Sequence, residues 1–170
     1  MISKKGLHWI IGVVLVLTLT VGCGVASIKP QPRATFTGPL ELIRSGTNGE
    51  VGSGKLEIII AEDGSGISSV NFTVSNMNCS NESGSINITS DGFSTTTTFP
   101  QPATIAKGKF KLDIGGIDES IKIDGLFTSP TEANATIQIS TTTTMSPPGT
   151  NFKESMNCDY GSWKWSAGVN

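Results

Sequence analysis

Histidine is almost absent from this chain, since His8 is the single one among 170 residues. His8 lies in an amino-terminal segment with the features of a cleaved leader, described below, and cleavage leaves a mature protein without imidazole. That absence excludes Ser-His-Asp and Cys-His nucleophilic catalysis, zinc ligation by imidazole and a histidine pH switch. Carboxylate chemistry and Ser-Lys dyads stay open.

Aromatic residues and charged residues are also scarce, at 6% and 15% of the chain. From residue 23 onward there are 10 basic and 14 acidic residues, without the basic patch that nucleic acids or anionic membranes attract. We therefore expect no nucleic-acid partner. The abundance of Ser, Thr, Asn and Gly, with short runs of Ile, Val, Leu and Phe, is typical of an extracellular β-protein.

The amino-terminal segment has the parts of an export signal. Lys4 and Lys5 precede a run without formal charge over residues 6–22, which ends in LTVGC at residues 19–23. This ending resembles the lipobox of bacterial lipoproteins, although Thr20 stands where leucine is commonest. The resemblance implies cleavage after Gly22 and acylation, palmitate included, of the Cys23 thiol.

Three segments follow from this resemblance: a signal peptide at 1–22, an acylated cysteine with an extended tether at 23–35, and a folded domain at 36–170. The 148 residues from Cys23 onward are enough for one domain with a core. The acyl anchor implies a cell-membrane or outer-membrane protein facing the extracytoplasmic side. Two alternatives stay open: an uncleaved membrane helix, because the uncharged run continues to Ile28, and an ordinary cleaved signal.

Cys79 and Cys158 are the two other cysteines, and each follows the dipeptide Met-Asn. Disulfides persist outside the cytoplasm, so we expect these two cysteines to pair. Two buried thiols are the alternative.

The apolar residues of the folded part alternate with a period of two, and no helical period occurs. The clearest runs lie at 55–61, 67–75, 109–114 and 135–139, separated by turn signals such as Asp63-Gly64 and Ser129-Pro130. About nine short strands predict an all-β, antiparallel β-sandwich, immunoglobulin-like or jelly-roll-like, with a barrel as the alternative.

Two segments, at 123–131 and 158–167, resemble sequences that recur in secreted bacterial all-β domains. The resemblance extends over roughly residues 52–167 and implies a fold and a compartment. It implies no activity, because none is attached to those domains.

Trp163 and Trp165 are the strongest candidates for a ligand-binding pair. Their spacing places both indoles on one face of a strand, where exposed aromatic rings can stack on sugar rings. The alternation with Lys164 and Ser166 favours a position in the core instead.

Several acidic residues precede or neighbour glycines, as in Asp63-Gly64, Asp91-Gly92 and Asp124-Gly125, with Asp118-Glu119 nearby. On loops these carboxylates would suit calcium or a glycosidase pair, but no ordered spacing supports either. We expect neither a metal nor another cofactor. Five Asn-x-Ser/Thr sequons could carry glycans or be ordinary outward positions: Asn71, Asn78, Asn81, Asn87 and Asn134.

These observations together predict a lipid-anchored cell-envelope protein that acts as a non-catalytic binding or structural module. Its expected partners are the membrane, reached through the acyl anchor, and an envelope protein or a glycan. The alternative is a carboxylate-dependent glycan hydrolase or a carbohydrate-binding module.

Overall fold

Eight β-strands and no helix make up the part of the chain that the computed structural model describes, residues 27–44, 53–81, 83, 87–115, 119–145 and 154–170. The predicted all-β class is therefore confirmed. The strands are β1 Thr35–Arg44, β2 Gly54–Ile60, β3 Gly66–Asn81, β4 Asn87–Thr104, β5 Lys109–Gly115, β6 Glu119–Ser129, β7 Glu132–Met145 and β8 Glu154–Val169.

All eight strands belong to one antiparallel sheet in the order β4-β3-β2-β1-β8-β7-β6-β5. Each strand pairs with its neighbour in sequence except at β4 and β5, so two four-stranded meanders are joined where β1 pairs with β8. The sheet curls until its halves face each other. Phe36 of β1 packs edge-on against Phe127 of β6, with ring centroids 5.1 Å apart, although β8 and β7 separate these strands in the sheet. The expected antiparallel sandwich is thus confirmed.

The strand count differs from the predicted nine because one expected boundary lies inside a strand. β4 runs continuously through Asp91-Gly92, a dipeptide that normally favours a turn. Gly92 has a φ of 99° and lies opposite Ser75 of β3, and a Cβ at Gly92 would collide with the carbonyl oxygen of Val74. Glycine thus allows the two backbones to approach closely and the strand to continue.

The core follows the alternation that the sequence predicts. In β5, Phe110, Leu112 and Ile114 are buried, whereas the lysines and the aspartate between them are exposed. No polar or charged side chain is buried among the described residues. The inward residues of both meanders therefore form one apolar core.

The two ends of the sandwich differ. The turns at 61–65, 105–108 and 130–131 and the carboxyl-terminal Asn170 lie at one end, here called the lower end. β1, β3, β5 and β7 run away from it, so the last residues of these strands lie at the opposite end, here called the upper end.

Residues 27–34 lie against the lower end. The Gln31 N–H donates to the carbonyl of Pro130 at 2.8 Å, and the Arg33 N–H donates to the carbonyl of Ala61 at 3.2 Å. Ile28 is half-buried and packs against the core. Among the described residues, contacts with the domain thus extend back to Ile28, within the segment that the sequence interpretation assigns to the tether.

A disulfide joins Cys79 of β3 to Cys158 of β8, and the predicted pairing is confirmed. The upper part of β3 pairs directly with β8, with Ser80 opposite Asn157, and continuation of this register places the two cysteines opposite each other. Their Cα atoms are 4.2 Å apart, and both residues are fully buried. The bond links the two meanders at the upper end.

Gly125 shows how the core accommodates a large ring. It lies directly opposite Phe110 in the ladder between β6 and β5, and a Cβ at Gly125 would overlap the phenyl ring. The Phe110 ring therefore covers the backbone of β6, and it packs against Phe127 with ring centroids 5.2 Å apart.

Removal of the disulfide by Cys79→Ala with Cys158→Ala is expected to lower the free energy of unfolding by about 4.5 kcal/mol, because the closed ring of the unfolded chain is large. Urea unfolding measures this loss, with the exposed Ser155→Ala variant as control. An unfolding midpoint equal to that of the wild type would contradict a stabilising bond.

Gly125→Ala is expected to destabilise the domain by about 1–3 kcal/mol, because the added methyl group must displace the Phe110 ring. Gly168→Ala is the matched control, since its Cβ would come no closer than 3.8 Å to the Thr131 carbonyl oxygen. We expect the control to stay within about 0.5 kcal/mol of wild type in thermal unfolding. Equal stabilities of the two variants would be inconsistent with the packing of Phe110 on Gly125.

Candidate functional site

Trp163 and Trp165 lie inside the sandwich, each 1% exposed. The Trp163 indole N–H donates to the carbonyl of Tyr160 at 2.9 Å, and that of Trp165 donates to the carbonyl of Leu56 at 3.0 Å. Both indoles are therefore buried and satisfied, and neither ring face is available to a sugar. The proposal of a glycan-stacking pair is wrong, and the core position that the alternation favoured is correct.

Trp165 also connects strands that are not neighbours. Its indole reaches from β8 past β1 to β2, and its Nε1 lies 3.1 Å from where a Cβ of Gly38 would be. A side chain at Gly38 would also collide with the carbonyl oxygen of Ser166. The absence of a side chain in β1 thus lets one indole bind across three strands.

The carboxylates proposed for calcium or catalysis are dispersed. Asp63 lies in the turn between β2 and β3, whereas Asp91 belongs to β4 and Asp124 to β6, so two of the expected loop ligands are strand residues. Asp118 lies outside the described residues, and Glu119 begins β6. Nowhere in the described ranges do three His, Cys, Asp or Glu side chains cluster in a way that could hold a metal ion.

Asp63 serves the turn in which it lies. The Ser65 hydroxyl and backbone N–H donate hydrogen bonds to its carboxylate, and they hold the pKa of that carboxyl below its usual value. A side chain that bonds to the backbone two residues ahead is an ordinary way to close such a turn. The hydrogen bonding of Asp63 is therefore explained by local structure.

A concave surface extends over the outer face of β5–β8, here called the outer trough. It comprises two adjoining grooves of about 700 and 510 Å³ that share Asp124 and Thr136. Its outward-facing side chains are Lys109, Lys111, Asp113, Lys122, Asp124, Leu126, Asn134, Thr136, Gln138, Lys164 and Ser166. Four lysines and two carboxylates thus line the trough.

Strand register brings these charges together. Lys111 lies opposite Asp124, Asp124 opposite Thr136, and Thr136 opposite Lys164. The Lys111 ammonium lies 2.7 Å from the Asp124 carboxylate, with the two side chains 81% and 63% exposed. Lys164 lies opposite Glu41 on its other side. The trough is consequently a solvated array of charges, hydroxyls and amides.

Exposed apolar side chains are few in the described ranges. The large ones are Leu42 and Ile43 of β1 and Leu126 of the outer trough, and no aromatic residue is among them. The polar groups that the trough presents are therefore mainly ammonium, carboxylate, hydroxyl and amide groups.

The sequons occupy dissimilar positions. Asn71 is half-buried and donates its side-chain N–H to the Glu57 carboxylate at 2.6 Å, whereas Asn134 is exposed in the outer trough. Asn81 is half-buried, and the side chains of Asn78 and Asn87 are outside the description. Of these five, Asn134 is the sequon with the most accessible described side chain.

The leader and Cys23 lie outside the described residues, so their assignment stays a prediction. In the described ranges no helix has the length and apolarity needed to cross a bilayer. The chain matches no protein-family model, no curated protein and no solved structure.

Sequence reasoning did not find the outer trough. The alternation at 109–114 predicts that Lys109, Lys111 and Asp113 face solvent, which is correct for one strand. This pattern alone does not predict the trough, because the trough also contains outward residues of β6, β7 and β8. The register of those strands decides which of their residues lie beside β5.

Trp165→Phe is expected to lower the free energy of unfolding by about 1–3 kcal/mol, because it removes the indole hydrogen bond to the Leu56 carbonyl and part of a buried ring. Chemical unfolding measures the change, and the exposed neighbour Lys164→Ala, expected to change stability by less than about 0.5 kcal/mol, is the control. Wild-type stability in Trp165→Phe would show that the indole bond contributes little.

Proposed function

We propose that this protein is a non-catalytic binding module of the bacterial cell envelope, anchored in the membrane through an acylated Cys23, and that it binds a glycan with acidic groups in the outer trough. We infer an acidic ligand from the side chains that line the trough. These include two carboxylates and four lysines: Lys109, Lys111, Lys122 and Lys164. Export and anchoring are supported by the leader and its resemblance to a lipobox.

The choice of an acidic ligand follows from the side chains that the outer face offers. Neutral sugars are commonly bound by stacking on exposed aromatic rings, and none of the described aromatic side chains is among the exposed large apolar ones. Lysine ammonium groups instead attract carboxylate, sulfate or phosphate groups, and the Asn134 amide and Thr136 hydroxyl can bond to sugar hydroxyls.

The outer trough is less suited to a protein ligand than to an acidic glycan. Energetically dominant contacts between proteins usually centre on aromatic, arginine or other large side chains in a desolvated patch. Leu126 is the one large exposed apolar side chain among the residues that line the trough, at 39% exposure. The surface is therefore better suited to a hydrated polymer.

A glycan hydrolase is the second candidate, because Asp113 and Asp124 line the same groove on neighbouring strands. Glycosidases use two such carboxyl groups, one of which donates a proton from a partly desolvated position. The Asp124 side chain is 63% exposed and forms an ion pair with Lys111. This arrangement favours binding without turnover.

We expect the wild-type protein to bind polygalacturonate, an acidic polysaccharide, more tightly than neutral dextran, and to release it as salt is raised. Lys109→Gln with Lys164→Gln should weaken this binding about tenfold, if each exposed charge contributes about 0.7 kcal/mol. Isothermal titration calorimetry measures the affinities. Lys55→Gln, an exposed position on β2, is the matched control.

Equal affinity for the acidic and the neutral polymer would overturn the ligand class, and equal affinity of the double variant and wild type would overturn the site. Release of new reducing ends during incubation would favour the hydrolase instead. Its loss in Asp113→Asn or Asp124→Asn would then identify the carboxylates responsible.

A further inference from the structure

Residues 28–33 contact all three turns of the lower end. Ile28 lies beside Gly108 in the turn between β4 and β5, with its Cβ 3.4 Å from where a Gly108 Cβ would be. Gln31 bonds to the turn between β6 and β7, and Arg33 bonds to the turn between β2 and β3. The amino-terminal segment is therefore attached across the whole lower end.

The position of Ile28 limits the distance between the domain and Cys23. Four residues, 24–27, separate Ile28 from Cys23. Five fully extended steps span at most about 17 Å. An acyl chain on Cys23 places that residue at the boundary between lipid headgroups and hydrocarbon. The point where the chain joins the sandwich is consequently close to the bilayer.

We infer that the lower end of the sandwich is a membrane-contacting surface, held against the lipid headgroups by this short connection. The upper end, with the Cys79–Cys158 bond, then faces away from the bilayer. This inference rests on the proposed acylation of Cys23 and adds an orientation to it.

The chemistry of the lower end suits headgroups. Lys29 and Lys107 are exposed there, the Arg33 guanidinium pairs with the Glu62 carboxylate at 3.1 Å, and Asp63 is also exposed. A surface of mixed charges matches the polar headgroup zone. The exposed Leu42 and Ile43 lie at the other end of β1, so the lower end does not gain its contact by inserting these residues.

The upper end lies farther from the lower end than the connection between Cys23 and Ile28 can reach. Lys122 lies seven residues above Ser129 in β6, which corresponds to about 23 Å along the strand. Lys55 lies near the upper end of β2. Contact at the lower end should therefore shield Lys29 and Lys107 and leave Lys55 and Lys122 accessible.

Lysine acetylation with a membrane-impermeant reagent, read by mass spectrometry, tests this arrangement on the processed full-length protein. The protein is compared in detergent and after insertion into preformed vesicles of phosphatidylethanolamine and phosphatidylglycerol. We expect modification of Lys29 and Lys107 to slow at least threefold on vesicles. The modification rates of Lys55 and Lys122 should change by less than half of the factor seen for Lys29 and Lys107.

A variant with about 20 Gly and Ser residues inserted after Gly24 is the matched control, because such a linker has a root-mean-square span of roughly 25 Å. It should stay attached to the vesicles and lose the shielding. Shielding that persists in this variant would overturn the role of the short connection. Unshielded Lys29 and Lys107 in the wild type would overturn the orientation itself.

The intact mass of the same preparation separates this inference from the anchor on which it rests. A mass without acyl groups, unchanged in processing by Cys23→Ala, overturns the anchor and with it the orientation. An acylated, vesicle-bound protein with uniform lysine modification overturns the orientation alone.

Discussion

The pairing of β1 with β8 is the interaction on which the rest of the structure depends. It joins two meanders whose other pairings are between strands adjacent in sequence, apart from the short contact of β3 with β8. The Trp165 indole stabilises the junction by donating to the Leu56 carbonyl across β1. The Cys79–Cys158 disulfide links the two meanders at the upper end. Without this junction each meander would expose one apolar face to water, at a large cost in free energy.

The same junction determines where the surfaces lie. Because the inward faces of β5–β8 are committed to the core, their lysines, hydroxyls and amides form a continuous outer face, the outer trough. The three turns of the lower end, residues 28–34 and Asn170 lie together, so the first and last described residues of the chain are at the same end of the sandwich. In the proposed arrangement, one end of the sandwich contacts the membrane and the trough extends along its side.

The particular elements show how far the sequence could predict this fold. Strict alternation identified the inward faces of β2, β5 and β7, because a sheet with one buried face requires apolar residues at every second position. The expectation that Asp91-Gly92 and Asp124-Gly125 lie on loops was wrong, because both lie in strands where glycine permits close approach of a neighbouring strand or an aromatic ring. Glycine is tolerated both in a tight turn and in a strand that another group approaches closely. An Asp-Gly dipeptide alone therefore does not distinguish a turn from a strand.

The sequence by itself determined the fold class, the absence of imidazole beyond His8 and the inward sides of β2, β5 and β7. Each of these follows from residue type or local period. Only the tertiary structure decided that Cys79 pairs with Cys158, which lysines share the outer trough, that Trp163 and Trp165 are satisfied within the core, and that Ile28 packs against it. These depend on strand register and on curling of the sheet, which join residues distant in sequence and are set by the packing of the whole core.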